Sequence, residues 1–355
     1  MLVALLALGG CATESIEDAT PTEDVPTETP SSVDPSDEAA TDEAPQAIAQ
    51  QLNAPWSIVR TEDGFLVSER NGTIAVIDES GRLERQPVAL EEDVLQIGEG
   101  GLLGLVKTPD FETERTLYAY HTYGTPSDVR NRVIELTWDG ERFDETAVIL
   151  EDIPGAQFHN GGRLTIDGDT LLVTTGDALI PELAQDATSL AGKILRIPLT
   201  GEGEATDWIL SSGHRNPQGL VRIDETLYAS EHGASGHDEV NVIEEGNNYG
   251  WPLIEADQTE DGLETPWFEV GPTSWAPSGL AANETTLFMA TLRENRLVAI
   301  DRTTRDVTTI VEGQGRIRDV FLEGDTLYYI TNNTDGRGTP GPEDDQLRRV
   351  TIQGN

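Results

Sequence analysis

Leu171-Leu172-Val173-Thr174-Thr175 runs straight into Gly176-Asp177, and the same design returns at Leu227-Tyr228-Ala229-Ser230-Glu231 and Leu327-Tyr328-Tyr329-Ile330-Thr331. Further runs of this kind open at Phe65, Leu117 and Leu287, so six recur along the chain, each near a Gly, Asp, Glu or Thr turn. Short apolar runs bounded by turn residues read as strands. Their return roughly every 40 to 60 residues marks one strand-built unit repeated, which points to a β-propeller with one blade per repeat. The expected fold is all-β, a six-bladed β-propeller over residues 47–355. In such a fold, loops at one end of the strands converge on the axial channel, so ligand groups are expected to be scattered in sequence.

The rest of the folded region agrees with this reading. Between Leu52 and Ile352 short alternating runs are broken by Gly, Asp, Asn and Pro, and no long amphipathic helical stretch stands out. Asn71-Gly72, between Phe65-Leu66-Val67 and Ile74-Ala75-Val76-Ile77-Asp78, is a hairpin signal, and Leu297-Val298-Ala299-Ile300-Asp301 repeats the second of those strands. The run Leu347–Ile352 is expected to give a strand of the last blade.

Residues 1–11 are apolar and small and end in Leu8-Gly9-Gly10-Cys11, as in a lipoprotein signal, and are too short to span a bilayer. The expected location is therefore extracytoplasmic, with Cys11 as a lipid acceptor. As the one cysteine of 355 residues, Cys11 excludes an intrachain disulfide framework. Residues 12–46 hold eleven acidic and no basic side chains among Thr, Pro, Ser and Ala, the composition of a disordered tether. The remainder still carries 54 acidic against 23 basic residues, which argues against nucleic acid as a partner. Two lysines, Lys107 and Lys193, stand beside 21 arginines, a balance that suits a high-salt habitat where ions screen self-repulsion.

In a chain of net charge −42, arginines gather in Gly/Asn-rich segments: Arg163 in His159-Asn160-Gly161-Gly162-Arg163, Arg215 in Gly213-His214-Arg215-Asn216-Pro217-Gln218-Gly219, and Arg316 and Arg318 in Gly315-Arg316-Ile317-Arg318-Asp319. Arg293 adds another. Brought together at a channel mouth they would form a pocket for carboxylates; taken singly, each could instead answer a local acid, as Arg318 with Asp319. The segment Ser230–Asn241 sets Asp238-Glu239 on a Gly-rich loop, a supply of hard oxygens that suits Ca²⁺. His232 and His237 lack thiolate partners and a helix to hold them, so a zinc site is a poor fit. His159 precedes a Gly-Gly step that lets backbone approach a ligand, and a neutral imidazole is the natural base for an alcohol proton near neutral pH.

Together these segments resemble the soluble glucose/sorbosone dehydrogenase family, in particular its PQQ-dependent aldose sugar dehydrogenases. The resemblance runs from about Leu52 to Asn333. It also rests on Ala54-Pro55-Trp56, Gly98-Glu99-Gly100-Gly101-Leu102-Leu103-Gly104, Ala191-Gly192-Lys193-Ile194-Leu195-Arg196, Asn248-Tyr249-Gly250-Trp251-Pro252 and Trp275-Ala276-Pro277-Ser278. It implies pyrroloquinoline quinone (PQQ) and Ca²⁺ over the channel mouth of a six-bladed propeller, and an aldose oxidised at its anomeric carbon. His159 would be the general base. Arg215 and Asn216 would meet the quinone oxygens, with Gln218 in the same segment. Arg316 and Arg318 would bind the cofactor's carboxylates, and Glu99, Ser274 and Arg293 would make further contacts. Backbone carbonyls of Gly233 and Ala234 would ligate the cofactor's Ca²⁺, and Asp238, Glu239 and Tyr249 match a second, structural Ca²⁺ site.

The chain departs from the best-known glucose-oxidising pattern at four of these places. Phe158 stands for an aspartate before the base, Glu99 for a glutamine, Ala234 for a proline and Arg293 for a lysine. Two other functions suit the same architecture: a Ca²⁺-dependent sugar lactonase, which needs carboxylates and amides on the axis where this chain offers arginines, and a non-catalytic binding propeller.

Overall fold

Each of the runs that decide the reading becomes the second strand of an antiparallel unit: Gly64–Glu69, Thr116–Thr125, Thr170–Thr174, Thr226–Glu231, Thr286–Thr291 and Thr326–Thr331. The computed structural model describes residues 44–352, so Cys11, the apolar leader and nearly all of the acidic tether lie outside the described residues. Helix is confined to Phe111–Glu114 and two 3-10 turns, Pro181–Ala184 and Ala205–Trp208. No helix among the described residues is long and apolar enough to cross a membrane.

The strands form four four-stranded sheets and one eight-stranded sheet. The latter consists of two antiparallel meanders, residues 55–89 and 102–154, joined by a short parallel pairing of Val88 with Phe143 and Ala89 with Asp144. The first strands of successive meanders pack against one another in chain order. Pro55–Thr61 meets Leu102–Lys107, which meets Leu164–Asp167, and Pro217–Ile223, Pro277–Ala282 and Ile317–Glu323 follow. Ile317–Glu323 then packs back on Pro55–Thr61, closing the circuit.

Side-chain alternation explains how the sheets stack. Leu171 and Val173 enter one apolar cluster with Tyr118, Tyr120 and Val133, whereas Leu172 between them enters another with Leu220, Leu227 and Ile243. Successive residues of a strand point to opposite faces, so a sheet buried on both sides needs an unbroken apolar run. That is why these strands read as continuous stretches of Leu, Val and Ala. The chain ends close the circuit: Gln46–Ala49 pairs with Leu347–Thr351, beside Thr326–Thr331 and Ile317–Glu323. The strand at the far edge of this sheet from Ile317–Glu323 thus comes from the opposite end of the sequence.

Asn71-Gly72 forms the expected hairpin, with Glu69 opposite Thr73 and Gly72 at a positive φ of 98°. In each unit, register sets the end of the second strand beside the start of the first. Pro217 faces Glu231, Pro277 faces Thr291 and Ile317 faces Thr331. Residues just after the second strands and just before the first strands therefore share one end of their sheets. This is where the candidate residues lie.

Candidate active site

His159 follows the long strand Phe143–Pro154 and takes a left-handed backbone at φ 60°. Its carbonyl lies so close to Gly176 that a Cβ there would stand 2.0 Å from it, so residue 176 must be glycine. Asp177, the next residue, is fully buried and accepts the His159 Nδ1–H at 2.8 Å. Its Oδ1 also takes the Leu179 amide at 2.9 Å, and its Oδ2 the Trp251 indole N–H at 2.8 Å. With Nδ1 bearing the proton, Nε2 presents a lone pair, and it has no protein partner among the described residues. The place of Asp177 after the Leu171 run was visible in the sequence, but its contact with His159 was not.

The Arg215 segment is held from below by Glu231. One carboxylate oxygen accepts the backbone amides of Arg215 and Asn216, and the other accepts Nδ1 of His214 at 2.9 Å. Arg215 has no carboxylate in ion-pair range among the described residues; its guanidinium lies 5.4 Å over the Trp251 ring and donates to the His232 carbonyl at 3.3 Å. Asn216 is buried, its Oδ1 accepting the Gly161 amide at 3.1 Å, which ties this segment to that of His159.

Deeper in, Arg318 is 3% exposed and donates to Gln218 Oε1 at 2.7 Å and Ser278 Oγ at 3.3 Å, neutral partners both. Burial, with Arg316 nearby, brings its guanidinium down to about 9, and it remains a cation at neutral pH. Arg318 does not answer Asp319: that carboxylate pairs instead with Arg163 at 3.0 Å, beneath Trp56. Arg163 is thus spent in a buried ion pair. Arg316 pairs with Asp335 at 2.9 Å and donates to the Leu292 carbonyl at 3.0 Å. Arg293, one residue beyond Leu292, is exposed and forms no ion pair among the described residues.

Glu99 gathers three segments. Its Oε2 accepts the His159 amide at 3.2 Å and Asn216 Nδ2 at 3.5 Å, and its Oε1 meets Arg337 Nη1 at 2.6 Å. Burial works to raise this carboxyl, but His232, Arg337 and Arg318 more than offset it and hold the group down at about 2. Because burial lowers the His232 imidazole, whose Nε2–H donates to the Pro277 carbonyl at 2.7 Å, the arginines supply the lasting part of that offset. Arg70 fixes the loop beneath through the Gly98 and Gly100 carbonyls.

The candidate metal ligands share a second wall of this end. Gly233, Ala234, Glu239 and Tyr249 line one pocket with Arg215, His232 and Trp251. Asp238 stands behind it with both oxygens engaged: Gly233 N donates to one, and Ser274 Oγ, Trp275 N and Ala276 N to the other. It therefore joins the Gly233 loop to Ser274. The Tyr249 hydroxyl donates to the Val242 carbonyl and accepts from Glu244 N. Burial, Glu231 and Glu269 raise the Glu239 carboxyl to about 8. Among the described residues no three His, Cys, Asp or Glu side chains form a metal-holding group.

Sequence reasoning named most of these positions but missed Asp177, Glu231 and Asp335, which act on the named residues from the second-strand end of the same unit, and Arg337, which acts from another sheet. The common signal was a carboxylate at or shortly after the end of a second strand, as at Glu231 and Asp177.

Three likenesses place the chain. The aldose sugar dehydrogenase YliI of Escherichia coli is 29% identical over 338 residues, spanning 82% of this chain and 90% of its own. An uncharacterized protein of Synechocystis sp. is 31% identical over 346 residues, spanning 81% of this chain and 83% of its own. The solved PQQ-bound form of aldose sugar dehydrogenase from Streptomyces coelicolor matches with a TM-score of 0.79 at 35% identity, over 87% of this chain and 97% of that one. The family model for glucose / sorbosone dehydrogenase matches residues 52–339, and the chain belongs to that family of oxidoreductases.

Proposed function

We propose that this protein oxidises aldose sugars at the anomeric carbon to lactones, using PQQ and Ca²⁺ on a six-bladed propeller. The carrying observation is the juxtaposition of an oriented imidazole, His159, with guanidinium groups whose hydrogen-bonding capacity is unspent. Arg215 Nε and Arg316 Nε are buried without a partner. An unpaired buried donor costs about 1–3 kcal/mol, so a site built this way suits an anionic, oxygen-rich ligand. PQQ, with its carboxylates and quinone oxygens, has that chemistry.

Arg215 and Asn216 would face the quinone oxygens, Arg316 and Arg318 the carboxylates, and Glu99, Gln218, Ser274 and Arg293 the remaining edge. The Gly233 and Ala234 carbonyls are donors of the kind Ca²⁺ takes, and Glu239, with Asp238 and Tyr249 nearby, is our candidate for a second Ca²⁺. Bound PQQ would supply the two-electron acceptor for the C1 hydride, polarised by its Ca²⁺. His159 Nε2 takes the proton of the C1 hydroxyl. Asp177 holds the ring in the required tautomer and stabilises the imidazolium that results. Trp251 fixes Asp177 in turn.

The six-blade count is supported by the circuit of first strands and by the division of the eight-stranded sheet into two meanders. We also propose an extracytoplasmic protein, anchored through a lipid on Cys11 and held off the membrane by the acidic tether.

Reconstituting metal-free protein with PQQ and Ca²⁺ and following sugar-dependent dye reduction tests this reading. His159→Ala should lower the rate on the order of 10²- to 10⁴-fold while PQQ still binds. Lactone hydrolysis without sugar oxidation would hand the site to a lactonase; neither activity would leave a binding propeller.

A further inference from the structure

Glu99 poses a problem for a site that binds an anion. Its carboxylate is largely buried, at 14% exposure, and its Oε2 is held between the His159 amide and Asn216 Nδ2. A bare carboxylate there would repel the carboxylates of PQQ or take up a proton. The guanidinium that answers it comes from 238 residues away, in the loop between Thr326–Thr331 and Leu347–Thr351.

We infer that Arg337 is the counter-cation that makes Glu99 compatible with an anionic cofactor, and that it does so as a tie from the last connecting loop to the Glu99 loop. Three observations carry this. Arg337 Nη1 lies 2.6 Å from Glu99 Oε1 and forms the one ion pair of Glu99 among the described residues. The same guanidinium lies 4.9 Å over the ring of Phe158, the residue before the base. The other charged groups facing Glu99 are engaged otherwise: burial lowers the His232 imidazole, which donates to the Pro277 carbonyl, Arg70 holds the Gly98 and Gly100 carbonyls, and Arg318 meets the neutral Gln218 and Ser278 side chains. Arg337 is thus a positioning residue. It keeps Glu99 ionised, and Glu99 in turn fixes the His159 amide and Asn216.

This inference rests on the PQQ reading above, and binding of PQQ to the apo-protein with Ca²⁺, followed by tryptophan fluorescence, separates the two. Arg337→Ala should weaken PQQ binding tenfold or more at pH 7.5. In a Glu99→Gln background, whatever affinity that variant itself shows, adding Arg337→Ala should lower PQQ binding no further. Arg337→Lys should keep most of the affinity. The Arg337→Ala defect should also shrink as pH falls toward 5 and Glu99 takes a proton, a profile that loss of a merely structural contact would not give. Unchanged binding in Arg337→Ala, or a double variant clearly weaker than Glu99→Gln, overturns the inference while leaving the PQQ reading intact. An unmutated protein that binds no PQQ overturns both.

Discussion

Asp177 and His159 are locked by a 2.8 Å hydrogen bond from Nδ1 to a carboxylate oxygen, and the other oxygen of Asp177 is filled by the Trp251 indole. The carboxylate has no freedom to turn, so the imidazole has none either. Catalytic power at such a site depends on tautomer and direction as much as on basicity.

Asp177→Asn should therefore keep the fold and the cofactor site but lower kcat on the order of 10²- to 10³-fold, because an amide can turn its NH₂ toward Nδ1 and move the ring proton to Nε2. Steady-state dye reduction, with PQQ affinity as the control, reads this. A variant with unchanged kcat would detach Asp177 from the chemistry.

The second prediction concerns acid. Glu99 is held at about 2 in the folded protein against an ordinary 4.5, so its folded pKa is depressed and the unfolded chain binds the extra proton between those values. Its contribution is fully present above pH 4.5 and disappears as pH falls toward 2. Compared with Glu99→Gln, the unmutated protein should lose on the order of 1–2 kcal/mol across that window, a figure reduced because Arg337 is 43% exposed. Urea unfolding of both proteins between pH 5 and 2 measures the difference, and parallel curves would refute it.

The strands were legible because burial on both faces imposes an unbroken apolar run, and Leu171-Leu172-Val173 shows each residue taking its turn against a different neighbour sheet. The positions of His159, Arg215 and Arg318 were legible too, since scarce histidines and arginines stand in Gly/Asn-rich segments. Their partners were not. Asp319 sits next to Arg318 in sequence yet pairs with Arg163, because adjacent strand residues face opposite ways. Arg337 reaches Glu99 only because the circuit of sheets brings the last connecting loop beside the second meander, which no local pattern records.

Packing between sheets yields a third test. Leu172 is fully buried with Leu220, Leu227 and Ile243, side chains of the next meander. Leu172→Ala should cost about 2–5 kcal/mol of stability through lost contact and a residual cavity. PQQ binding below the unfolding transition should stay within twofold, since the site lies at the end of the strands. A cost under 0.5 kcal/mol would mean the two sheets do not share this core.

The last prediction addresses how the circuit is closed. Leu52 and Asp345 exchange both backbone hydrogen bonds, at 2.8 and 3.1 Å, joining the start of the folded chain to its final loop. The Asp345 side chain meanwhile accepts from Asn333 N at 2.5 Å, Thr334 N at 3.1 Å and the Thr331 and Thr334 hydroxyls. One buried carboxylate thus organises the loop that also carries Asp335 and Arg337. Thr334 Oγ1 accepts the Ala54 amide at 2.9 Å, extending the tie to the first meander. Asp345→Asn keeps the shape but puts an NH₂ where two donors already point, and each donor left unpaired costs about 1–3 kcal/mol. The variant should lose about 2–4 kcal/mol of stability. Hydrogen exchange should quicken at the amides of Ala47–Ala49 and Asn333–Thr334 before it does at Leu171–Val173, because the closure opens while the central sheets hold. Uniform acceleration across all sheets would show instead that closure and core unfold as one unit.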